Sequence, residues 1–148
     1  MRMTTEEAFV KTLQMHGIDT AFGIIGSAMM PISDLFPAAG ITFYDGAHEG
    51  NSGMMADGYT RASGRMSMMV AQNGPGITNF VTPVKTAYWN HTPLLLVTPQ
   101  AANKTIGQGR LPEVEPMTPF RAQRAPQQHD PATAPAAARR TRPRQPPR

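Results

Sequence analysis

Apolar positions in the first 109 residues switch between two rhythms, one repeating at about 3.6 residues and one made of short unbroken runs. Phe9, Val10 and Leu13 share one helical face, with Thr4 and Glu7 as a capping-box pair at its start and Gly17 at its end. TAFGII (20–25) predicts a strand, and a Gly26-Ser27 turn then leads into a helix from Met29 to Phe36 with Pro31 in its first turn. ITFYDG (41–46) predicts the next strand. A Met-rich helix follows from Glu49 to Ala62, stopped by Gly64, and RMSMMVAQ (65–72) supplies a third strand. Ile77, Phe80, Val81, Val84, Ala87 and Tyr88 recur at helical spacing, in a helix that Pro83 is expected to bend by removing one backbone hydrogen bond. PLLLVTP (93–99) is an unbroken apolar run, suited to a strand covered on both faces.

Four strands interleaved with four helices predict an α/β fold, a mostly parallel sheet with helices on both faces and right-handed crossovers. Ligands of such sheets sit outside the carboxyl ends of the strands. Three strand exits are therefore where chemistry is expected: Gly26-Ser27, His48-Glu49, and Gln72 through Gly76.

The net charge of +4 changes meaning once it is divided along the chain. Residues 1–109 sum to −1 and residues 110–148 to +5, so the basicity belongs to the end of the chain. That end also holds nine of the fifteen prolines, a density that neither helix nor sheet ladders tolerate, and it is expected to be a disordered tail. From Arg121 onward Ala, Pro, Arg and Gln dominate and no Phe, Tyr or Trp appears. Codons for Ala, Pro and Arg are rich in guanine and cytosine, so this stretch reads as a shifted frame of a GC-rich gene. A nucleic-acid arm would need clustered Arg with aromatic interleaving, and only Arg139, Arg140, Arg142, Arg144 and Arg148 cluster, so no such partner is expected.

The chain has no cysteine, which excludes disulfides and thiolate metal sites and fits a reducing, cytoplasmic setting. No run approaches the roughly 20 apolar residues of a membrane span, and residues 1–10 carry acids where an export signal needs an apolar stretch. The sequon Asn90-His91-Thr92 is accordingly read as coincidence.

Taken singly, the candidate motifs are ambiguous. NGPG (73–76) fits either a tight strand-to-helix turn or a helix start opened for a ligand's close approach. It is not a dinucleotide fingerprint, because Asn79 stands where a third Gly or Ala is required. His48-Glu49 does not extend to a zinc motif, because residue 52 is Ser, and no metal site is expected. Met54, Met55, Met66, Met68 and Met69 read as adaptable packing. Glu49 is a carboxylate at a helix start, where the helix dipole favours it whether or not it does anything else.

In order and spacing, FGIIGSAMMPISDLF, AHEGNSGMMADGYTRASG, VAQNGPGITNFVTPVKTAYWNHTPLLLVTPQ and AANKTIGQG resemble the pyrimidine-binding domain of thiamine-diphosphate enzymes. The likeness covers residues 1–109, taken as one domain, with an echo in EVEPM (113–117). HEG, ADGYTRASG and NGPG together carry it. The Met-rich wording and AANKTIGQG are similar to the sulfoacetaldehyde acetyltransferase branch, with the acetolactate synthase type and a non-enzymatic, basic-tailed binding module as alternatives.

The resemblance implies thiamine diphosphate as cofactor and Glu49 as the catalytic acid. That residue would bind the ring nitrogen of the aminopyrimidine and favour the imino form that takes the proton from the thiazolium carbon. Sharing a proton with a weak base calls for apolar burial of the carboxyl, and Met54 and Met55 are expected to form that wall. Gly26, Ser27, Gln72, Gly74, Pro75 and Gly76 match cofactor-approaching positions of the family. In the branch the reaction cleaves sulfoacetaldehyde, releases sulfite and passes the acetyl group to phosphate. The family's diphosphate and Mg2+ site lies in another domain, marked by G-D-G followed by Asn, that this sequence does not contain. Family members are homo-oligomers whose active sites join the pyrimidine domain of one subunit to the diphosphate domain of another. The expectation is therefore an N-terminal fragment, inactive alone.

Overall fold

The computed structural model describes residues 2–99 and Phe120. Apart from Phe120, the predicted tail and the AANKTIGQG segment lie outside the described residues. The elements run α1 Thr5–Met15, β1 Thr20–Gly23, α2 Met30–Ser33, β2 Thr42–Asp45, α3 Glu49–Ser63, β3 Ser67–Val70, α4 Pro75–Thr78, α5 Val81–Trp89 and β4 Leu94–Val97.

The four strands form one parallel sheet in the order β2-β1-β3-β4. Successive side chains on a strand point to opposite faces, and the burial follows that alternation. Ala21, Met68 and Val70 pack with Val10, Leu13, Met29 and Phe36 on the face covered by α1 and α2. Phe22, Met69 and Ala71 pack with Ala56 and Phe80 on the face covered by α3 and α5. Helices on both faces and a parallel sheet are thus what the alternating rhythm foretold.

Local signals explain most boundaries. Thr4 Oγ1 accepts from the Glu7 backbone N–H at 3.2 Å while Glu7 Oε2 accepts from the Thr4 N–H at 2.8 Å, so the capping box forms and anchors α1. Such a cap contributes about 1 kcal/mol. The second helix is shorter than its apolar spacing implied: after Ser33 the chain tightens into i→i−3 bonds, Leu35 to Ile32 and Phe36 to Ser33, before Gly40 turns it into β2.

Three expectations are corrected. Pro83 does not bend a continuous helix. Proline cannot bond the carbonyl four residues back, here that of Asn79, so the helix stops at Thr78 and restarts at Val81 with Pro83 in its first turn, where no hydrogen bond is forfeited. The strand in PLLLVTP is only half-buried, because among the described residues it is the outermost strand with β3 alone beside it. Of the packing methionines, Met68 and Met69 are buried as expected, whereas Met54, Met55 and Met66 are 40%, 46% and 40% exposed. The reason lies in α3, whose buried stripe is Ser52, Gly53, Ala56, Asp57 and Thr60, small and polar residues that leave Met54 and Met55 outside it.

Candidate functional site

The strand order places a switch point between β1 and β3. From β1 the chain moves outward to β2 and from β3 outward to β4, so the loops leaving these two adjacent strands diverge at their carboxyl ends. A crevice at such a point is where open α/β sheets bind ligands.

Gly26 follows β1 and Gln72 follows β3, and the structure presses them together. A Cβ on Gly26 would lie 2.3 Å from Gln72 Oε1 and 2.7 Å from Gln72 Cβ, so only glycine leaves room for that amide. Gln72 Oε1 is buried and has no hydrogen-bond partner among the described residues, and the same holds for Oδ1 of the adjoining Asn73, a residue 6% exposed. An unsatisfied buried acceptor costs about 1–3 kcal/mol. Two of them lie side by side at one strand exit, covered by their protein neighbours.

The loop then turns sharply at Gly74, whose φ of 75° and ψ of −125° lie where side chains are scarcely tolerated. Pro75, exposed, starts α4 at the position where its missing N–H is harmless. Gly76 is buried one residue on, and a Cβ there would come within 3.2 Å of Glu49 Oε1.

Glu49 is the first residue of α3. His48 caps that helix, its Nδ1 accepting from the Gly50 N–H at 3.0 Å, and the helix dipole favours a carboxylate at this end. The side chain is half-buried and turned toward the 74–76 loop. Its Oε2 accepts from Asn79 Nδ2 at 2.9 Å, while Oε1 faces Gly76 and accepts no hydrogen bond among the described residues. One carboxylate oxygen is therefore tied down and the other is open.

Of the residues singled out from sequence, the structure joins Gly26 to Gln72 and Glu49 to Gly76, the two pairs being connected through the 72–76 loop. Ser27 is exposed in the turn before α2 and takes no part in these contacts. The expected Met54 and Met55 wall does not exist, since both side chains point outward; Gly76 and Asn79 flank the carboxyl instead. Asn79 was noticed only as the residue that spoils a dinucleotide fingerprint. Its partner lies 30 positions earlier in the chain, so no local pattern announces the contact. A separate apolar cleft of about 360 Å3 runs between α5 and β4, lined by residues such as Met69, Tyr88, Leu96 and Phe120 and by none of the candidates.

The residues present fit the pyrimidine end of thiamine diphosphate: an open carboxylate oxygen on Glu49, given room by Gly76 and flanked by the 72–76 loop. Comparison with known proteins gives the family. Residues 3–123, a stretch that includes EVEPM, match the thiamine pyrophosphate enzyme, N-terminal TPP binding domain family. A sulfoacetaldehyde acetyltransferase of Roseovarius nubinhibens is 82% identical over 121 residues, 82% of this chain and 20% of that protein. The sulfoacetaldehyde acetyltransferase of Rhodobacter capsulatus is 80% identical over 121 residues, with the same coverage of both chains. Among solved structures, the thiamine diphosphate-dependent 4-hydroxybenzoylformate decarboxylase of Rhodococcus jostii superposes with a TM-score of 0.73 at 28% identity, covering 80% of this chain and 22% of that one. This chain spans about a fifth of the length of the curated relatives it matches. It belongs to the thiamine pyrophosphate enzymes, as a member of their N-terminal TPP-binding domain family.

Proposed function

We propose that this chain provides the pyrimidine-binding half of a thiamine-diphosphate site in an enzyme that cleaves sulfoacetaldehyde, releases sulfite and forms acetyl phosphate. The site reading is carried by one observation, the open Oε1 of Glu49 set against the Cβ-less Gly76. The choice of substrate is supported by the names of relatives 82% and 80% identical to it.

When bound, thiamine diphosphate supplies the carbanion chemistry at its thiazolium carbon. The chain's own task is to bind and orient the pyrimidine ring and to share a proton with it. Glu49 Oε1 is the atom for that proton, and half-burial beside Gly76 limits competition from water. Gly26 makes room for the Gln72 amide and Gly76 for Glu49 Oε1, and Gly74 and Pro75 shape the loop that joins the two pairs. Diphosphate and Mg2+ are held by a complementary domain of a partner subunit in a homo-oligomer. The setting is cytoplasmic, a reading supported by the lack of cysteine; no helix among the described residues is long and apolar enough to cross a membrane.

Calorimetry of the chain with thiamine diphosphate and with its pyrimidine half, 4-amino-5-hydroxymethyl-2-methylpyrimidine, tests this. Weak binding of both is expected, lowered about 10-fold or more in Glu49→Gln, which keeps the shape but loses the charge-assisted bond. No binding of either compound, or equal binding by Glu49→Gln, refutes the site.

A further inference from the structure

We infer that Asn79 is a positioning residue for Glu49, fixing which carboxylate oxygen is presented to the ligand. The inference deepens the proposed pyrimidine site and rests on it. A glutamate in the first turn of a helix has three side-chain rotors, and holding it in one geometry costs rotamer entropy. Something must offset that cost if one oxygen is to stay against Gly76. The Asn79 amide does so from outside the helix, its Nδ2 donating to Oε2 at 2.9 Å although α3, β3 and α4 lie between the two residues along the chain.

The local fold explains why residue 79 is available. Helix α4 ends at Thr78, and Pro83 prevents the turn from running on through the Asn79 carbonyl, so Asn79 falls in the break between α4 and α5. Its identity matters as well. A Lys or Arg here would hold the same oxygen but would strongly favour the ionised carboxyl, whereas the group must exist in both protonation states. A neutral amide holds it without imposing that preference.

The first test needs no ligand. In the 15N-labelled full chain, the two Nδ2 protons of Asn79 are expected to resonate apart, the one bonded to Glu49 Oε2 lying downfield; in Glu49→Ala that separation shrinks. Equal separation in the wild type and in Glu49→Ala overturns the inference. The second test measures affinity for 4-amino-5-hydroxymethyl-2-methylpyrimidine. Asn79→Ala should bind about 3–10-fold more weakly, the loss expected for one net hydrogen bond, and Asn79→Asp, of the same shape but like charge, more weakly still. Unchanged affinity in Asn79→Ala alongside a loss in Glu49→Gln overturns the positioning role and leaves the proposed function standing. If the wild-type chain binds no pyrimidine, the proposed function falls, and the amide resonances alone decide the contact.

Discussion

The two faces of the sheet are held by different physics. Under α1 and α2 the core is built by volume, with Leu13, Met29, Phe36 and Met68 filling the space between helices and strands. Under α3 and α5 it is built by closeness and direction. A Cβ on Gly53 would lie 2.5 Å from Pro83 Cβ and 2.8 Å from Phe80 Cδ1, so α3 and α5 touch almost backbone to ring. Ser67 and Thr60 are buried and bonded hydroxyl to hydroxyl at 2.9 Å, the Ser67 N–H donates to Thr60 Oγ1 at 3.2 Å, and Ser67 Oγ donates to the Ala56 carbonyl at 3.1 Å. Apolar packing is non-directional and tolerates small slips of a helix. Hydrogen bonds from strand to helix do not. The helix fixed in this directional way is the one that begins with Glu49, so the side of the molecule that carries chemistry is the side whose register is pinned.

Substitutions on the two faces would break or sharpen this contrast. The largest effect should come from Phe36→Ala, which removes a fully buried ring from the volume-filled face and should cost about 3–5 kcal/mol, read as a lower urea midpoint. Next is Gly53→Ala, about 2–3 kcal/mol through collision with Pro83 and Phe80, even though alanine is the better helix former by about 1 kcal/mol. A stabilised Gly53→Ala would show that α3 has slack against α5 after all. Ser67→Ala should lose about 1–2 kcal/mol by removing the hydroxyl that pairs with Thr60 Oγ1 and donates to the Ala56 carbonyl, and should move the Asn79 amide resonances, which Phe36→Ala should not.

The smallest effect lies outside both cores. Glu6, at the start of α1, has its carboxyl held below the ordinary glutamate range, first by the backbone N–H of its own residue and then by the Thr4 side chain. A depressed folded-state value means its contribution is present above the unfolded value and drains away as the pH falls through the folded one. Glu6→Gln should flatten the acid limb of a stability profile slightly and leave the Asn79 resonances untouched.

The same contrast governs what could be read from sequence. The capping box of α1 was legible because both partners lie within four residues, and the parallel α/β arrangement because each element announced its own period. The outward turn of Met54 and Met55 was not. Hydrophobicity pointed to them as the buried side of α3, whereas that helix docks through Ser52, Gly53, Ala56 and Thr60, whose smallness permits the approach. The partial exposure of β4 depends on its place in the sheet, which no stretch of PLLLVTP encodes. At the site, the strand exits pointed to Gly26, Glu49 and Gln72 through Gly76, and resemblance to a family gave them roles. Asn79 required the fold, because its meaning lies in a carboxylate that only tertiary structure brings near.

The bond between Glu49 and Asn79 has a consequence for assembly. Strand β3 is threaded between β1 and β4, and it also separates the two helices that meet at this bond. The recognition surface therefore cannot exist in a chain that has coiled its helices but not yet inserted its middle strand. A heterocycle captured there selects only chains that have completed the sheet, and by mass action it draws the population toward them.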